Sequence, residues 1–221
     1  MKIITYATHR FGTFDTLIET VPDIIVLGWG TKWTGFMDKF KGVLEYLDSV
    51  PDDEVVMFVD GFDSIIKKDL SDVEYVFKSM NCGVLVSGHE NDFMNTYIAP
   101  KIFTSCRNTI VNSGLYMGYA KYLKYMLIEA LKSGEDDDQR ALNMICSKVN
   151  FIKIDTDHII FENCMNDLEC IKNSDAFVVQ TPGQYSVARY SRAVKEYGKY
   201  FIPEIILIII LLYFIRKTCA K

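Results

Sequence analysis

The feature that most constrains the fold is an alternation of short β-branched stretches with segments of helical periodicity. Strands are predicted at KIITYAT, DIIVLG, VVMFV, GVLVSG, LYMGYA and NFIKI. Helices are predicted at 70–80, 121–132 and 137–147. A further helix is predicted from apolar residues that share one helical face, namely Phe36, Phe40, Val43, Leu44 and Leu47. Because strands separated by helices favour parallel pairing with both faces covered, the sequence predicts an α/β fold with a mostly parallel sheet.

Composition limits the classes of function. A chain of 221 residues is long enough for one domain with a full core. Its net charge of −5 argues against a nucleic-acid partner, since such proteins normally carry a basic face. The cysteines show no CxxC pair and no zinc-like spacing, so we expect most of them to be reduced core thiols, as in a cytosolic protein. They are Cys82, Cys106, Cys146, Cys164, Cys170 and Cys219.

The two ends of the chain differ in character. The first residues, MKIITYATHRFG, lead directly into a predicted strand and lack the apolar segment of a signal peptide, so we expect no routine secretion. Near the other end, an uninterrupted apolar run extends from Ile205 to Ile215 and is followed by Arg216 and Lys217. A helix over 200–215 would be ~24 Å long, against a hydrocarbon core of ~30 Å. The run is therefore either a terminal core element or a short membrane anchor.

We favour the anchor, because a buried helix in so small a domain normally keeps a polar face and this run has none. The predicted organisation is a domain over 1–198, a transmembrane segment over 200–216 and a basic tail over 217–221. Lys and Arg flank the segment on both sides, so the positive-inside rule leaves its orientation open. Insertion after synthesis would place the domain on the cytosolic side, with the lumenal side as the alternative.

Two acids follow the predicted strand VVMFV in the stretch VVMFVDGFDSI. Ligands of such sheets bind at the carboxyl ends of the strands, where Asp60 lies, and Asp63 is three residues further on. A turn could direct both carboxylates at one hard cation, Mg²⁺ or Mn²⁺, and such a cation suits a diphosphate. The alternative is a strand-end turn in which Asp60 only caps the next segment. The DxxD spacing alone does not decide between them.

Further polar stretches lie ahead of other predicted elements. Asn112, Ser113 and Gly114 come just before the strand LYMGYA, where small residues permit close approach of a sugar or phosphate. The stretch GEDDDQRAL places acids at the start of a predicted helix. Acids at this position are also common as helix caps, so both a capping role and a binding role stay open.

These stretches occur in an order that resembles a known family. They are TYATHRFGTF, VLGWGTKWTG, KFKGVLEYLDSVPDDEVVMFVDGFDSI, VLVSGHE, VNSGLYMGYA, DDDQ and IDTDHIIFEN, and the resemblance spans residues 2–185. The sequence resembles the glycosyltransferase domain of the procollagen lysyl hydroxylases and the related collagen galactosyl- and glucosyltransferases. The resemblance implies a GT-A fold, Rossmann-like and mostly parallel, that binds a UDP-sugar through Mn²⁺ or Mg²⁺.

By position, the resemblance implies roles for individual residues. Asp60 and Asp63 would be metal ligands. Asp137 and Asp138 would face the donor sugar or the acceptor, and one of them is the candidate base if the reaction inverts the anomeric carbon. The donor would be contacted by Trp33, Lys39, Phe62, Glu90, Asn112, Ser113, Gly114 and Gly183. His89 and His158 are interpreted as structural residues.

One departure from the family concerns the metal site. Where the family has a histidine that completes the site, this sequence has Gln180, and Pro182 with Gly183 replaces the following Asn-Gly. A glutamine carbonyl can bind a hard cation, but more weakly than a set that includes imidazole binds Mn²⁺. The sequence therefore predicts a glycosyltransferase that moves a hexose from a UDP-sugar to an acceptor hydroxyl, with hydroxylysine of a collagen-like protein as the suggested acceptor. The alternative is a catalytically degenerate fold that acts as a membrane-tethered binding or structural module.

Overall fold

The computed structural model describes residues 1–89, 98–164, 167–182 and 194–219. The chain divides into two units, Met1–Gly183 and Gln184–Lys221. The first unit holds the sheets and the candidate site, and the second holds the apolar C-terminal segment.

A six-stranded sheet forms the centre of the first unit. Its strands are β1 (Lys2–Tyr6), β2 (Ile25–Leu27), β3 (Val55–Val59), β5 (Val84–Gly88), β6 (Val111–Tyr119) and β7 (Ile152–Asp155), in the order β2-β1-β3-β6-β5-β7. The pairs β1–β2, β1–β3 and β5–β7 are parallel, whereas β6 runs antiparallel to both β3 and β5. The prediction of a mostly parallel α/β sheet is confirmed.

A small second sheet extends from the carboxyl end of the central one. Its strands are β4 (Ser64–Ile66), β8 (Phe161–Asn163) and β9 (Val178–Gln180), in the order β4-β9-β8. Because β4 pairs with β9 antiparallel and in the register Ser64 opposite Gln180, this sheet brings residue 180 next to the loop that follows β3.

Helices cover both faces of the central sheet. They are α1 (Phe14–Thr20), α2 (Met37–Leu47), α3 (Val73–Ser79), α5 (Ala120–Lys132) and α6 (Asp138–Cys146). The described residues also form α4 (Ala99–Phe103) and α7 (Leu168–Asn173) and, in the second unit, α8 (Ile202–Cys219). Alternate residues of β3 enter different cores: Val56 and Phe58 pack with α2, α5 and α6, while Met57 and Val59 pack with α1 and α3. Burial on both faces explains why this strand is an unbroken apolar run.

One local prediction was wrong, and another differs from the structure only in its first turn. Asn112, Ser113 and Gly114 were expected ahead of a strand, but they lie inside β6, because its pairing with β5 continues to Val111. The helix expected over 70–80 begins as a separate 3₁₀ turn, Leu70–Asp72, before α3. The Asp69 carboxylate accepts the Ser71 N–H at 3.0 Å, which caps that turn.

The expectation of reduced cysteines was also wrong for four of them. Cys106 pairs with Cys146, and Cys164 pairs with Cys170, with Cα–Cα distances of 5.4 and 5.5 Å. Cys82 is a free thiol. The first bridge joins residues 40 positions apart, so the partners meet only once α6 packs beside the loop before β6. The spacing of the cysteines in the sequence did not indicate this pairing. Because four of the cysteines form disulfides, they do not support a cytosolic setting.

The second unit contains a long apolar helical segment. Val194–Lys217 is 24 residues long and contains an 18-residue window with a mean hydropathy of 2.0, none of which is buried. By length and composition this segment is sufficient to cross a membrane.

Candidate active site

The loop after β3 is held in place by its neighbours. The Asp60 backbone N–H donates to the Gly114 carbonyl at 2.8 Å, and the Asp60 carboxylate accepts the Phe62 N–H at 3.1 Å. A Cβ on Gly61 would lie 2.8 Å from Thr5 Oγ1, so a glycine is needed where this loop passes β1. Asp60 is therefore presented at the carboxyl edge of the sheet by a loop with little freedom.

Gln180 lies beside the second acid of this loop. Its Nε2 donates to Asp63 Oδ1 at 2.7 Å, and the residue is only 3% exposed. Its Oε1 is buried and has no hydrogen-bond partner among the residues that the structure describes. Gly114 provides the room, since a Cβ there would lie 2.6 Å from Oε1. The structure thus brings Asp60, Asp63, Gly114 and Gln180 together.

The chemistry of this group of side chains fits a hard divalent cation. Two carboxylates and an amide carbonyl are oxygen ligands of the kind that Mg²⁺ and Mn²⁺ accept. A buried carbonyl oxygen without a partner is costly unless something binds it, and a cation would satisfy that oxygen.

Lys39 and Asp138 form the second part of the site. The Lys39 ammonium lies 2.7 Å from Asp138 Oδ2 and 3.3 Å from Asp60 Oδ2. Burial acts to lower the pKa of Lys39, but the carboxylates of Asp138 and Asp60 outweigh it and hold that pKa well above its usual value. Lys39 is therefore a permanent cation that links the end of β3 to the first turn of α6.

Asp137 is placed differently from its neighbour. It is the N-cap of α6, and its Oδ1 accepts the Arg140 N–H at 2.8 Å. This is the capping role that was open for an acid at this position. Asp138, at the next position, directs Oδ2 to Lys39 instead, while its Oδ1 accepts the Gln139 N–H at 2.9 Å.

Asn112 belongs to a buried polar network. Its Nδ2 donates to Asn163 Oδ1 at 2.9 Å, and Asn163 in turn donates to the Gly88 carbonyl at 3.0 Å and to Ser87 Oγ. Asn112 and Asn163 are 3% and 4% exposed, and Ser113 is also buried. This network joins β5, β6 and β8 next to Gly114. Asn163 and Ser87 were not singled out from the sequence, although both lie in stretches that carry the family resemblance.

Aromatic side chains form a rim in the loops that follow β1, β2 and β3, with His9, Phe11 and Trp33 exposed and Phe62 half-buried. The ring of Phe62 contacts those of His9 and Phe11, with centroids 5.4 and 5.7 Å away. Trp33 is 42% exposed and packs edge-to-face on Tyr6. Phe62 and Trp33 were predicted from the sequence, whereas His9 and Phe11 were missed, although the quoted stretch TYATHRFGTF contains both.

Three other predictions have different outcomes. Glu90 and Gly183 lie outside the described residues. His158 adopts a positive φ of 52° in a turn. Asp155 organises this turn, since its carboxylate accepts three backbone N–H groups at 2.7–3.0 Å, from Ile159, Ile160 and Phe161. The stretch IDTDHIIFEN is therefore built around a structural carboxylate.

The sequence comparisons identify relatives. Residues 1–185 match the family described as the PLOD GT domain. A curated relative is the multifunctional procollagen lysine hydroxylase and glycosyltransferase of Caenorhabditis elegans, 25% identical over 223 residues, which covers 90% of this chain and 30% of that protein. The chain thus spans less than a third of the length of this relative.

Solved structures show the same fold. A glycosyltransferase involved in glycosylation of the major capsid of PBCV-1 matches with a TM-score of 0.52 and 11% identity, over 86% of this chain and 97% of that one. An active-site mutant of LgtC matches with a TM-score of 0.52 and 10% identity, over 88% of this chain and 95% of that one. With the GT-A fold shown in this way and a family match over most of the chain, this protein belongs to the PLOD glycosyltransferase domain family.

Proposed function

We propose that this glycosyltransferase is metal-dependent and moves a hexose from a UDP-sugar to an acceptor hydroxyl. The observation that carries the proposal is the group formed by Asp60, Asp63 and the unpartnered Oε1 of Gln180, at the carboxyl end of the central sheet. This edge is where open α/β sheets bind their ligands.

We assign these three residues as the ligands of Mn²⁺ or Mg²⁺. When bound, the dication neutralises the charge that develops on the departing UDP. The Phe62 N–H and the Gly114 carbonyl fix the conformation of Asp60, so its carboxylate is preorganised before donor and metal arrive. The Gln180 Nε2 group does the same for Asp63.

We assign the aromatic rim to the donor nucleotide. Trp33 is exposed and Phe62 is half-buried, each lies against neighbouring rings, and such rings stack well on a nucleobase. Gly114, with Asn112 and Ser113 behind it, would border the sugar, together with Glu90 and Gly183. Lys39 would act on the donor indirectly, by positioning the carboxylates of Asp60 and Asp138 with which it is paired.

We assign Asp138 to the sugar side of the site. Its neighbour Asp137 caps α6, whereas the Asp138 carboxylate is directed to Lys39, which also contacts Asp60 at the carboxyl edge of the central sheet. An inverting reaction would need a base that takes the proton of the acceptor hydroxyl, and Asp138 is then the better placed of the two acids.

We propose hydroxylysine of a collagen-like protein as the acceptor, which rests on the name of the Caenorhabditis elegans relative. We also propose that the segment over 200–216 anchors the catalytic domain, 1–198, to a membrane. The two disulfides favour an oxidising compartment, so we now place this domain on the lumenal side rather than in the cytosol.

A panel of UDP-sugars tests the reaction. Purified full-length protein should release UDP from one of them slowly without acceptor, only when Mn²⁺ or Mg²⁺ is present. The Asp60→Asn and Asp63→Asn variants should lose about 10²-fold or more of this activity, because they remove charge from the site while nearly keeping its shape. Full turnover in both variants would contradict the assignment.

Gln180 supports a second candidate function. A neutral amide in place of the family's histidine weakens the site for Mn²⁺, and this favours a degenerate, membrane-tethered binding module. Such a module would release no UDP from any donor, with or without metal.

A further inference from the structure

One buried cation lies among three carboxylates of the candidate site. The side chains of Lys39, Asp60 and Asp138 are 11%, 16% and 5% exposed, and the ammonium contacts both acids. Asp63 is close enough for its charge to act on Lys39 as well. Lys39 therefore occupies the space between a proposed metal ligand and a proposed sugar-facing acid.

The surroundings of Lys39 leave its ammonium little freedom. The next residue on α2, Phe40, is completely buried and contacts the ring of Tyr116. The Tyr116 hydroxyl is also buried and has no hydrogen-bond partner in the described part of the chain, and the charge of Lys39 acts on it. A cation paired on two sides in so enclosed a place would lose both partners by moving away.

The same two acids would make a metal site if Lys39 were absent. Carboxylates that face one small space are suitable ligands for a divalent cation, and three carboxylates against one ammonium leave a negative charge that a dication would cancel. A dication between Asp60 and Asp138 would compete with binding at Asp63 and Gln180. The ammonium repels a dication from this space and fills it.

On the basis of the proposed function, we propose that Lys39 is a positioning residue that keeps the divalent metal out of the space between Asp60 and Asp138. The metal is thereby directed to the Asp63 and Gln180 side of Asp60. The other Asp138 oxygen, Oδ1, accepts the Gln139 N–H at 2.9 Å and has a second lone pair for a sugar hydroxyl.

The test measures Mn²⁺ binding to the full-length protein without nucleotide. Electron paramagnetic resonance of the free ion is the readout. The Lys39→Met variant should bind Mn²⁺ roughly tenfold or more tightly, because a unit charge a few ångströms from the site no longer repels the ion. The gain should disappear when Asp138→Asn is added, since the new site needs that carboxylate. Unchanged affinity in Lys39→Met, or a gain that survives Asp138→Asn, overturns the proposal.

A second variant covers the case in which Lys39→Met does not fold. Asp138→Asn alone leaves the ammonium to Asp60, so Mn²⁺ affinity should fall severalfold. Asp137→Asn is the matched control, because it removes one charge at the adjacent position, where asparagine still caps α6. An equal fall in both variants would mean that only the general charge matters, and this would overturn the role of Lys39.

The outcomes separate this proposal from the proposed function. Mn²⁺ binding by Lys39→Met but not by the unsubstituted protein would support the exclusion by Lys39 and contradict metal-dependent transfer. Binding by the unsubstituted protein that Lys39→Met leaves unchanged would keep the function and overturn the exclusion.

Discussion

Gly114 lies where β6 passes Gln180, and its lack of a side chain makes room for the amide. A Cβ added at this position would lie 2.6 Å from Gln180 Oε1 and 2.8 Å from Cδ, well inside van der Waals contact. These atoms are the far end of a flexible side chain. We therefore expect the Gly114→Ala variant to keep β6 in place and to displace the amide of Gln180.

The cost follows from the bond that the displacement breaks. Nε2 of Gln180 donates to the Asp63 carboxylate at 2.7 Å, and hydrogen bonds to charged groups contribute about 1.5–3 kcal/mol. Replacing glycine by alanine restricts the unfolded chain and offsets about 0.4–1 kcal/mol of this loss. The free energy of unfolding should therefore fall by about 1–2 kcal/mol. Mn²⁺ affinity should fall with it, since the amide oxygen also moves.

Urea unfolding of the full-length protein in detergent measures this effect in a double-mutant cycle. In a Gln180→Ala background the group that Gly114→Ala displaces is gone, so only the stabilising effect on the unfolded chain, about 0.4–1 kcal/mol, should remain. The coupling energy should therefore equal the hydrogen-bond loss of about 1.5–3 kcal/mol. Gly35→Ala is the control, since a Cβ there would meet nothing within 4 Å. An equal cost of Gly114→Ala with and without the Gln180 side chain would refute the reasoning.

Three further predictions concern the metal site, the disulfides and the tail. Gln180→His should tighten Mn²⁺ binding in calorimetry, because imidazole is a better ligand for this borderline ion than a neutral amide, and no gain would mean that position 180 does not face the metal. The Cys106→Ser/Cys146→Ser variant should lose about 4 kcal/mol of unfolding free energy, because the bridge closes a loop with a separation of 40 residues, and unchanged stability would contradict a formed disulfide. A chain ending at Lys199 should be soluble and bind UDP, while the full-length protein should stay with membranes after a carbonate wash; free release would contradict the anchor.

The position of the first acids could be predicted because it depends on local sequence. The unbroken apolar run of β3 predicts a strand buried on both faces, and Asp60 follows it directly. An acid that follows such a strand lies at the sheet edge, whatever the remaining topology. The family could be identified for a similar reason, since several such stretches occur in one order.

The partners of these acids could not be predicted because they come from distant parts of the chain. Gln180 is 117 residues from Asp63, and their contact depends on the antiparallel pairing of β4 with β9. The ion pair of Lys39 with Asp138 likewise requires α2 and α6 to pack on the same face. The spacing of these residues in the sequence predicts neither contact.

Polar residues misled the strand prediction for a related reason. Asn112 and Ser113 look like loop residues, but they are buried in β6, where the amide of Asn112 is satisfied by Asn163. Such polar residues have a low strand propensity, but the hydrogen bonds of this buried network outweigh it. The network can be recognised only when β5, β6 and β8 are seen side by side.

The central claim is that Asp60, Asp63 and Gln180 bind a divalent metal that in turn holds a nucleoside diphosphate. Calorimetric titration of full-length protein with UDP, with and without Mn²⁺, tests it most directly. The account predicts that Mn²⁺ tightens UDP binding by roughly tenfold or more, a difference of about 1.4 kcal/mol, and that Asp63→Asn abolishes this gain. UDP binding of equal strength with and without Mn²⁺, or a gain that persists in Asp63→Asn, would contradict it.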